Sequence, residues 1–300
     1  MRLTEFPKWR LASAVALGIV PLACISQQAA SPRAESAGDL SGLSDEFDKA
    51  ATLSNWQRVE KLEGWNNNQL EQFDIGSTQA GWMTMMPYTS VWYQDYRGIL
   101  AYKNVTGDFV CTTRLRVSRR GGGGAPQSQF SLAGIMVRVP RTITPAMWRP
   151  GGENYVFLST GAADQPGTFQ FEVKTTINSD SQLQITPSTG GEAIIRVARV
   201  GPYLIMMKNV GGTWTVHRRY TRTDFPSTLQ VGLTCYTDWP NASQLDPYRH
   251  NGTVIRTGNP DLVAQFDYVR YTRPPSVLLN RRLDDPGSIS DAQILQAFNG

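Results

Sequence analysis

Gly107-Asp108-Phe109-Val110-Cys111-Thr112-Thr113-Arg114-Leu115-Arg116-Val117 reads as a β-strand with two unlike faces. Phe109, Cys111, Thr113, Leu115 and Val117 fall on one side, Val110, Thr112, Arg114 and Arg116 on the other. Side chains alternate along a strand, so apolar residues at period two predict a strand laid on a core. The pattern returns in Phe169 to Thr176, where Gln170, Glu172, Lys174 and Thr176 share a phase, and again in Leu229 to Tyr236. Gly, Pro, Asn and Asp separate the runs. Gly201-Pro202 and Val210-Gly211-Gly212 bracket Tyr203 to Asn209, and Trp214 to Tyr220 follows, which predicts a hairpin reversed at Gly-Gly. No stretch before residue 288 carries a helical period. Ser290 to Phe298 does, with Ser290 and Gln293 spaced as a capping box. Short strands at regular intervals without helices predict an all-β, antiparallel two-sheet sandwich with a short C-terminal helix.

The chain has 300 residues, within reach of one large sandwich. Its start stands apart. Arg2, Lys8 and Arg10 precede the uncharged run Leu11 to Cys24, too short to span a bilayer, which predicts a signal peptide over residues 1–24 and export. Leu22-Ala23-Cys24 resembles the end of a bacterial lipoprotein signal and would anchor the protein to a membrane through a lipidated Cys24, although Pro21 departs from that pattern; cleavage near Ala29 or Ala30 is the competing reading. Residues 25–43, rich in Ser, Ala and Gln, read as a tether. The sandwich is placed at 44–273. Pro274-Pro275 and Asp284-Asp285-Pro286-Gly287 mark 274–300 as a connector plus the helix, which either docks back or meets a partner. The destination is the periplasm, the outer membrane or the medium.

Removing Arg2, Lys8, Arg10 and Glu5 lowers the net charge of +4 by two, to +2, which argues against nucleic acid as a partner. The basic residues are mostly Arg, whose forks suit carboxylate, sulfate or phosphate. Gly121 to Gly124 precede no Lys-Ser/Thr and no helix, so they read as a loop, not a phosphate cradle. Cys111 and Cys235 both fall on apolar phases, compatible with one buried disulfide or with two core thiols. His217 lies opposite in phase to Trp214 and Val216, which predicts exposure on the hairpin, and His250 sits in a polar loop. Neither has a nucleophile and carboxylate in triad spacing.

Leu43-Ser44-Asp45-Glu46-Phe47-Asp48, followed by Trp56, resembles the opening strand of bacterial concanavalin A-like jelly rolls. Ala133-Gly134-Ile135-Met136-Val137-Arg138, Glu153 to Val156, the hairpin Tyr203 to Trp214, Gln230 to Leu233 and Ala264 to Arg270 resemble successive strands of the LamG-like family called regulation-of-enolase-protein-1-like. The resemblance runs from about Leu43 to Arg273. It implies a jelly roll whose concave sheet is the usual seat of a sugar chain. Laminarinase-like relatives carry Glu-x-Asp-x-x-Glu on one strand; here the nearest phrase, Phe171-Glu172-Val173-Lys174, puts Lys174 where the middle Asp belongs. The resemblance also implies a structural calcium between the first and last strands, on Asp267 with Asp45 or Asp48.

The polar phases then nominate Arg114, Arg116, Arg138, Glu172, Lys174 and Tyr236 as one Arg-rich groove, edged by Trp92, Tyr93 and Trp239, for a polysaccharide or other glycan, an acidic one by preference. The bland alternative is a solvated sheet face with cross-strand ion pairs. Were the chain a lyase or glycosidase, Glu172, Asp238 or Asp95 would supply the acid–base group, with Tyr236 assisting. A purely structural envelope protein is the third reading.

Overall fold

The alternation found in the sequence builds fourteen strands in the computed structural model, which describes residues 39–65 and 67–299. They are β1 (Gln57–Arg58), β2 (Leu70–Ile75), β3 (Met83–Pro87), β4 (Ile99–Thr106), β5 (Phe109–Arg119), β6 (Ser131–Arg138), β7 (Tyr155–Ala162), β8 (Gln170–Ile177), β9 (Asp180–Pro187), β10 (Glu192–Val200), β11 (Tyr203–Val210), β12 (Thr213–Thr221), β13 (Thr228–Tyr236) and β14 (Leu262–Thr272). The predicted signal peptide, Cys24 and most of the predicted tether lie outside the described residues. No helix among the described residues is long and apolar enough to cross a membrane.

Two seven-stranded antiparallel sheets result. The first runs β1-β4-β13-β6-β7-β8-β9 and the second β12-β11-β10-β5-β14-β3-β2. Their inner faces enclose the main core, to which β5 contributes Phe109, Cys111, Leu115 and Val117, all in the predicted phase, and the first sheet contributes Ile135, Val137, Leu158, Phe171 and Val173. Cys111 and Cys235 both sit in this core as free thiols. Burial presses each thiol's pKa upward, which keeps it protonated and inert. The Gly-Gly hairpin forms as read: β11 pairs with β12, and Gly211 and Gly212 take the positive φ values of 59° and 86° that the reversal requires.

Two features depart from the sequence reading. Short helices do precede residue 288: α1 (Val59–Leu62), α2 (Trp239–Ala242) and α3 (Pro247–Gly252). Each is too short to display a period. α3 is instead defined by its start, with Pro247 in the first turn and the Asp246 carboxylate accepting from the Arg249 amide. More consequential is the outer face of the first sheet, which is not open. Val59, Val91, Trp92 and Ala242, from the loops around α1, β4 and α2, bury a second apolar layer against Leu100, Tyr102, Met136, Tyr155 and Phe157.

The C-terminal segment docks back. Leu278, Leu283, Ile289 and Ile294, the last from α4 (Asp291–Asn299), cover Val110, Ala198, Val200, Ile205 and Met207 on the outer face of the second sheet. The capping box is present in both directions: the Gln293 amide nitrogen donates to Ser290 Oγ, and the Ser290 amide to Gln293 Oε1. Ile294 is fully buried. Ile294→Ala should cost about 2 kcal/mol in a urea titration, the low end for a core truncation because a terminal helix can settle inward.

Candidate functional site

Strand phase carries Glu172 and Lys174 of β8 onto the outer face of the first sheet, and the end of β13 brings Tyr236 beside them. The Tyr236 hydroxyl donates to Glu172 Oε2 at 2.8 Å. Lys174 Nζ stands 3.0 Å from Glu172 Oε1 and donates to the Trp92 carbonyl at 2.6 Å. The same ammonium lies 5.0 Å from the Phe157 ring centroid, 5.4 Å from Tyr93 and 5.6 Å from Tyr236, a cation–π cage on three sides. Burial presses the Lys174 amine's pKa down while the Glu172 charge resists, and burial followed by the Glu172 charge raises the Tyr236 phenol well above its ordinary value. The unit is thus a buried, internally neutralised pair with a protonated phenol.

Above it opens a pocket of about 230 Å³, walled by Trp92, Tyr93, Phe130, Leu183 and Trp239 and reaching Lys174 and Tyr236. Trp92 is fixed by its indole N–H, which donates to the Ile99 carbonyl at 3.0 Å. Asp238 adopts a left-handed conformation with φ of 70°, and this turn swings Trp239 back over the sheet. Trp239 meets Tyr93 edge-on at 5.4 Å and Tyr96 at 5.6 Å; Tyr96 in turn meets His250 at 5.1 Å. The wall is therefore a packed series of rings, half-buried at the rim. Aromatic walls with few polar groups suit a ligand having a flat apolar face and a hydroxylated edge.

Six of the nominated residues thus gather here: Glu172, Lys174, Tyr236, Trp92, Tyr93 and Trp239. The single Arg-rich groove does not form, for two physical reasons. Arg114 and Arg116 belong to β5 and so lie on the second sheet, where Arg114 Nε donates to Glu192 at 2.9 Å and Arg116 Nη2 to Gln265 at 2.6 Å. Arg138 is on the first sheet but sealed under its covering loops. It pairs with Glu153 (2.8 Å) and Glu63 (2.7 Å) and donates to Gln230 (2.9 Å). Arg97 joins Glu63 at 3.0 Å and Arg141 joins Glu153 at 2.5 Å, closing a buried ionic cluster. Burial pushes Glu153 up, but the Arg138 and Arg141 charges outweigh it and hold the carboxyl down at about 2.

The remaining acids are structural in their contacts. The Asp238 carboxylate, buried, accepts from Thr89 Oγ1 and the Asn259 amide, each at 2.7 Å. Asp95 accepts from the Gly151 amide at 3.0 Å and from Ser179 Oγ at 2.5 Å, tying two loops together. Asp45 does lie beside the closing strand, bridged to Val269, but its carboxylate takes the Trp56 indole N–H and the Phe47 amide, while Asp267 faces Arg114 at 3.3 Å. No group of three or more His, Cys, Asp or Glu side chains suited to a metal stands among the described residues. The Asp45 and Asp267 carboxylates are thus each engaged by protein donors, whereas calcium takes six to eight oxygens. The predicted exposure of His217 is also corrected, and the loop bearing His250 turns its ring inward. His250 is fully buried, with Nδ1 3.0 Å from Asn251 Oδ1, and His217 turns inward onto the Phe171 ring at 6.0 Å.

Sequence reasoning missed Phe130 and Leu183 in the pocket wall and Glu63 and Arg97 in the ionic cluster. Phe130 sits at a left-handed φ of 55° just before β6, and loop geometry of that kind leaves no periodic trace.

No protein-family model and no curated protein sequence matches the chain. Among solved structures it is similar to a functionally unknown protein from Saccharomyces cerevisiae, at 16% identity and a TM-score of 0.50, over 74% of this chain and 98% of that one. It is also similar to the GH43 protein BlXynB from Bacillus licheniformis (12% identity, TM-score 0.49, 77% of this chain and 39% of that one). A legume lectin-like domain from Entamoeba histolytica gives 8% identity and a TM-score of 0.43, over 74% of this chain and 92% of that one. The chain spans about two fifths of the GH43 protein's length. The fold is an antiparallel sandwich of two seven-stranded sheets with a short C-terminal helix.

Proposed function

We propose that the protein is a non-catalytic carbohydrate-binding module whose pocket on the first sheet seats one sugar ring of a glycan. The carrying observation is the convergence of Trp92, Tyr93, Phe130 and Trp239 over the Lys174–Glu172–Tyr236 unit. At about 230 Å³ the pocket is smaller than the roughly 300–1,000 Å³ of drug-sized sites, which suits a single ring. Because Lys174 is neutralised by Glu172, the preferred ring at this face is uncharged, not acidic. The apolar C–H side of the ring would lie on Trp239 and Tyr93, with hydroxyls turned to Lys174 and Tyr236.

Binding is favoured over turnover by the state of Glu172. A glycosidase needs two carboxyls flanking the bond, about 5 Å apart when retaining. Among the described residues that line the pocket none is a carboxylate, and Glu172 beneath it is held by Lys174 and Tyr236. Export, anchoring through Cys24 and kinship with the regulation-of-enolase-protein-1-like family remain part of this proposal. They rest on the leader Arg2 to Cys24 and on the strand Ala133 to Arg138.

Calorimetric titration against a panel of neutral and acidic oligosaccharides, with product analysis of each mixture, tests the reading. A neutral glycan should bind without new reducing or unsaturated ends. Trp239→Ala should weaken that binding about thirtyfold, the scale of a tryptophan anchor, with circular dichroism unchanged. Undiminished affinity in that variant, or product release abolished by Glu172→Gln, would overturn it.

A further inference from the structure

On the opposite sheet, Arg196 of β10 pairs in register with Thr112 of β5, and Thr112 pairs in turn with Arg270 of β14. Strand geometry therefore sets two guanidinium-bearing positions on either side of one small hydroxyl, all on the outer face. Above this row is a hollow of about 470 Å³, reached by Trp214 of β12, Tyr268, Arg273 and Phe298 of α4. Arg196 is gripped between rings, its guanidinium carbon 4.3 Å from the Trp214 centroid and 5.5 Å from that of Phe298. Its Nε donates to Thr112 Oγ1 at 3.1 Å, and its Nη1 is buried with no hydrogen-bond partner.

The other charges nearby are accounted for differently. Arg270 forks onto Glu46 at 2.8 and 2.7 Å, Arg273 Nη1 donates to the Thr106 and Asp108 carbonyls, and Arg114 one row away pairs with Glu192 and Asp267. Among the described residues no carboxylate stands against Arg196. A guanidinium carries five N–H donors and stays charged, so leaving one buried and unanswered is costly, and an anion that completes it is favoured.

We propose that this hollow is an anion site taking a carboxylate or sulfate group, bound by Arg196, flanked by Arg270 and covered by Trp214 and Phe298. The group arrives either as a free oxyanion or on a larger acidic molecule such as a uronate or sulfated sugar. The site lies on the sheet opposite the sugar pocket and does not depend on it.

Calorimetry with inorganic sulfate, at ionic strength matched by chloride, tests the proposal, with a sulfated disaccharide as a second arm. Saturable sulfate binding should weaken at least about tenfold in Arg196→Gln, as expected for losing a charge-assisted fork. Trp239→Ala should leave it unchanged, so failure of this site and of the sugar pocket are told apart. Thr112→Asp supplies a carboxylate beside Arg196 and should abolish sulfate binding while raising the melting temperature, which keeps the test informative should Arg196→Gln fail to fold. Disaccharide binding tenfold tighter than sulfate assigns the anion to a larger ligand; equal affinity assigns it to the free ion. Sulfate affinity unaffected by Arg196→Gln or by Thr112→Asp, or a sulfate effect no different from that of chloride, overturns the site.

Discussion

Arg138→Met should destabilise the protein by about 3–5 kcal/mol in equilibrium denaturation, the largest effect of any single change on the first sheet. The side chain is fully buried and holds Glu63, Glu153 and Gln230 at once. Removing it leaves two carboxylates out of water, each with one remaining guanidinium, Arg97 or Arg141. Breaking a buried pair costs far more than never having had it, because the stranded charge keeps its desolvation penalty. Arg138→Met combined with Glu153→Leu should therefore recover at least half of the loss. Equal instability of the single and double variants would refute the account. The cluster also bears on the pocket, since the Arg138 guanidinium lies 5.8 Å from the Trp92 ring and Glu63 anchors the covering loop. Tryptophan fluorescence should shift in Arg138→Met under conditions where the chain is still folded. A second consequence concerns acid. Glu153 titrates at about 2 in the fold against an ordinary 4.5, so its contribution is present above about 4.5 and disappears as the pH falls towards 2.

How far the sequence reaches is clearest on β5 and β8. Period-two alternation located both strands and their inward phases, because a core on one side imposes that pattern directly. The same rule says nothing about which sheet a strand joins. Arg114 on β5 and Lys174 on β8 look alike in the text, yet antiparallel pairing sends them to opposite sheets. Nor does it say whether an outer face meets water. The polar phase of β8 reads as solvent-facing, but Glu172 and Lys174 are buried because Trp92 and the loops near it cover them. What revealed the pocket in advance was composition: Trp92-Tyr93 and Trp239 are large rings in turn-rich text, and such residues need either a core or a ligand. Phe130, just before β6, and Leu183, within the edge strand β9, carried no comparable signal.

His250 should make the protein lose stability between pH 6.5 and 4. It is fully buried beside the Tyr96 ring, with Nδ1 against Asn251 Oδ1 and Nε2 lacking a partner, and the Arg97 charge nearby also opposes protonation. Burial, foremost, lowers its pKa from 6.5 to about 4. The unfolded chain therefore binds a proton that the folded one refuses, and stability declines as pH falls through that window, by about 3 kcal/mol for a gap of this size. Above about 6.5 both states are neutral and the contribution is constant. His217, lowered to about 4 chiefly by burial and then by Lys208 and Arg218, acts in the same direction, more weakly because it lies nearer to solvent. His250→Phe keeps the ring against Tyr96 and removes the proton, so its stability should change least between pH 7 and 4.5. The effect should extend to the pocket. Asn251 receives the Arg97 amide at 2.8 Å and donates to the Asp95 carbonyl, so a charged His250 loosens the segment bearing Trp92, Tyr93 and Tyr96, on which Trp239 rests. Glycan affinity should then fall in the wild type as pH drops towards 4.5 and hold nearly steady in His250→Phe. Parallel declines in the two proteins would separate the pocket from this histidine.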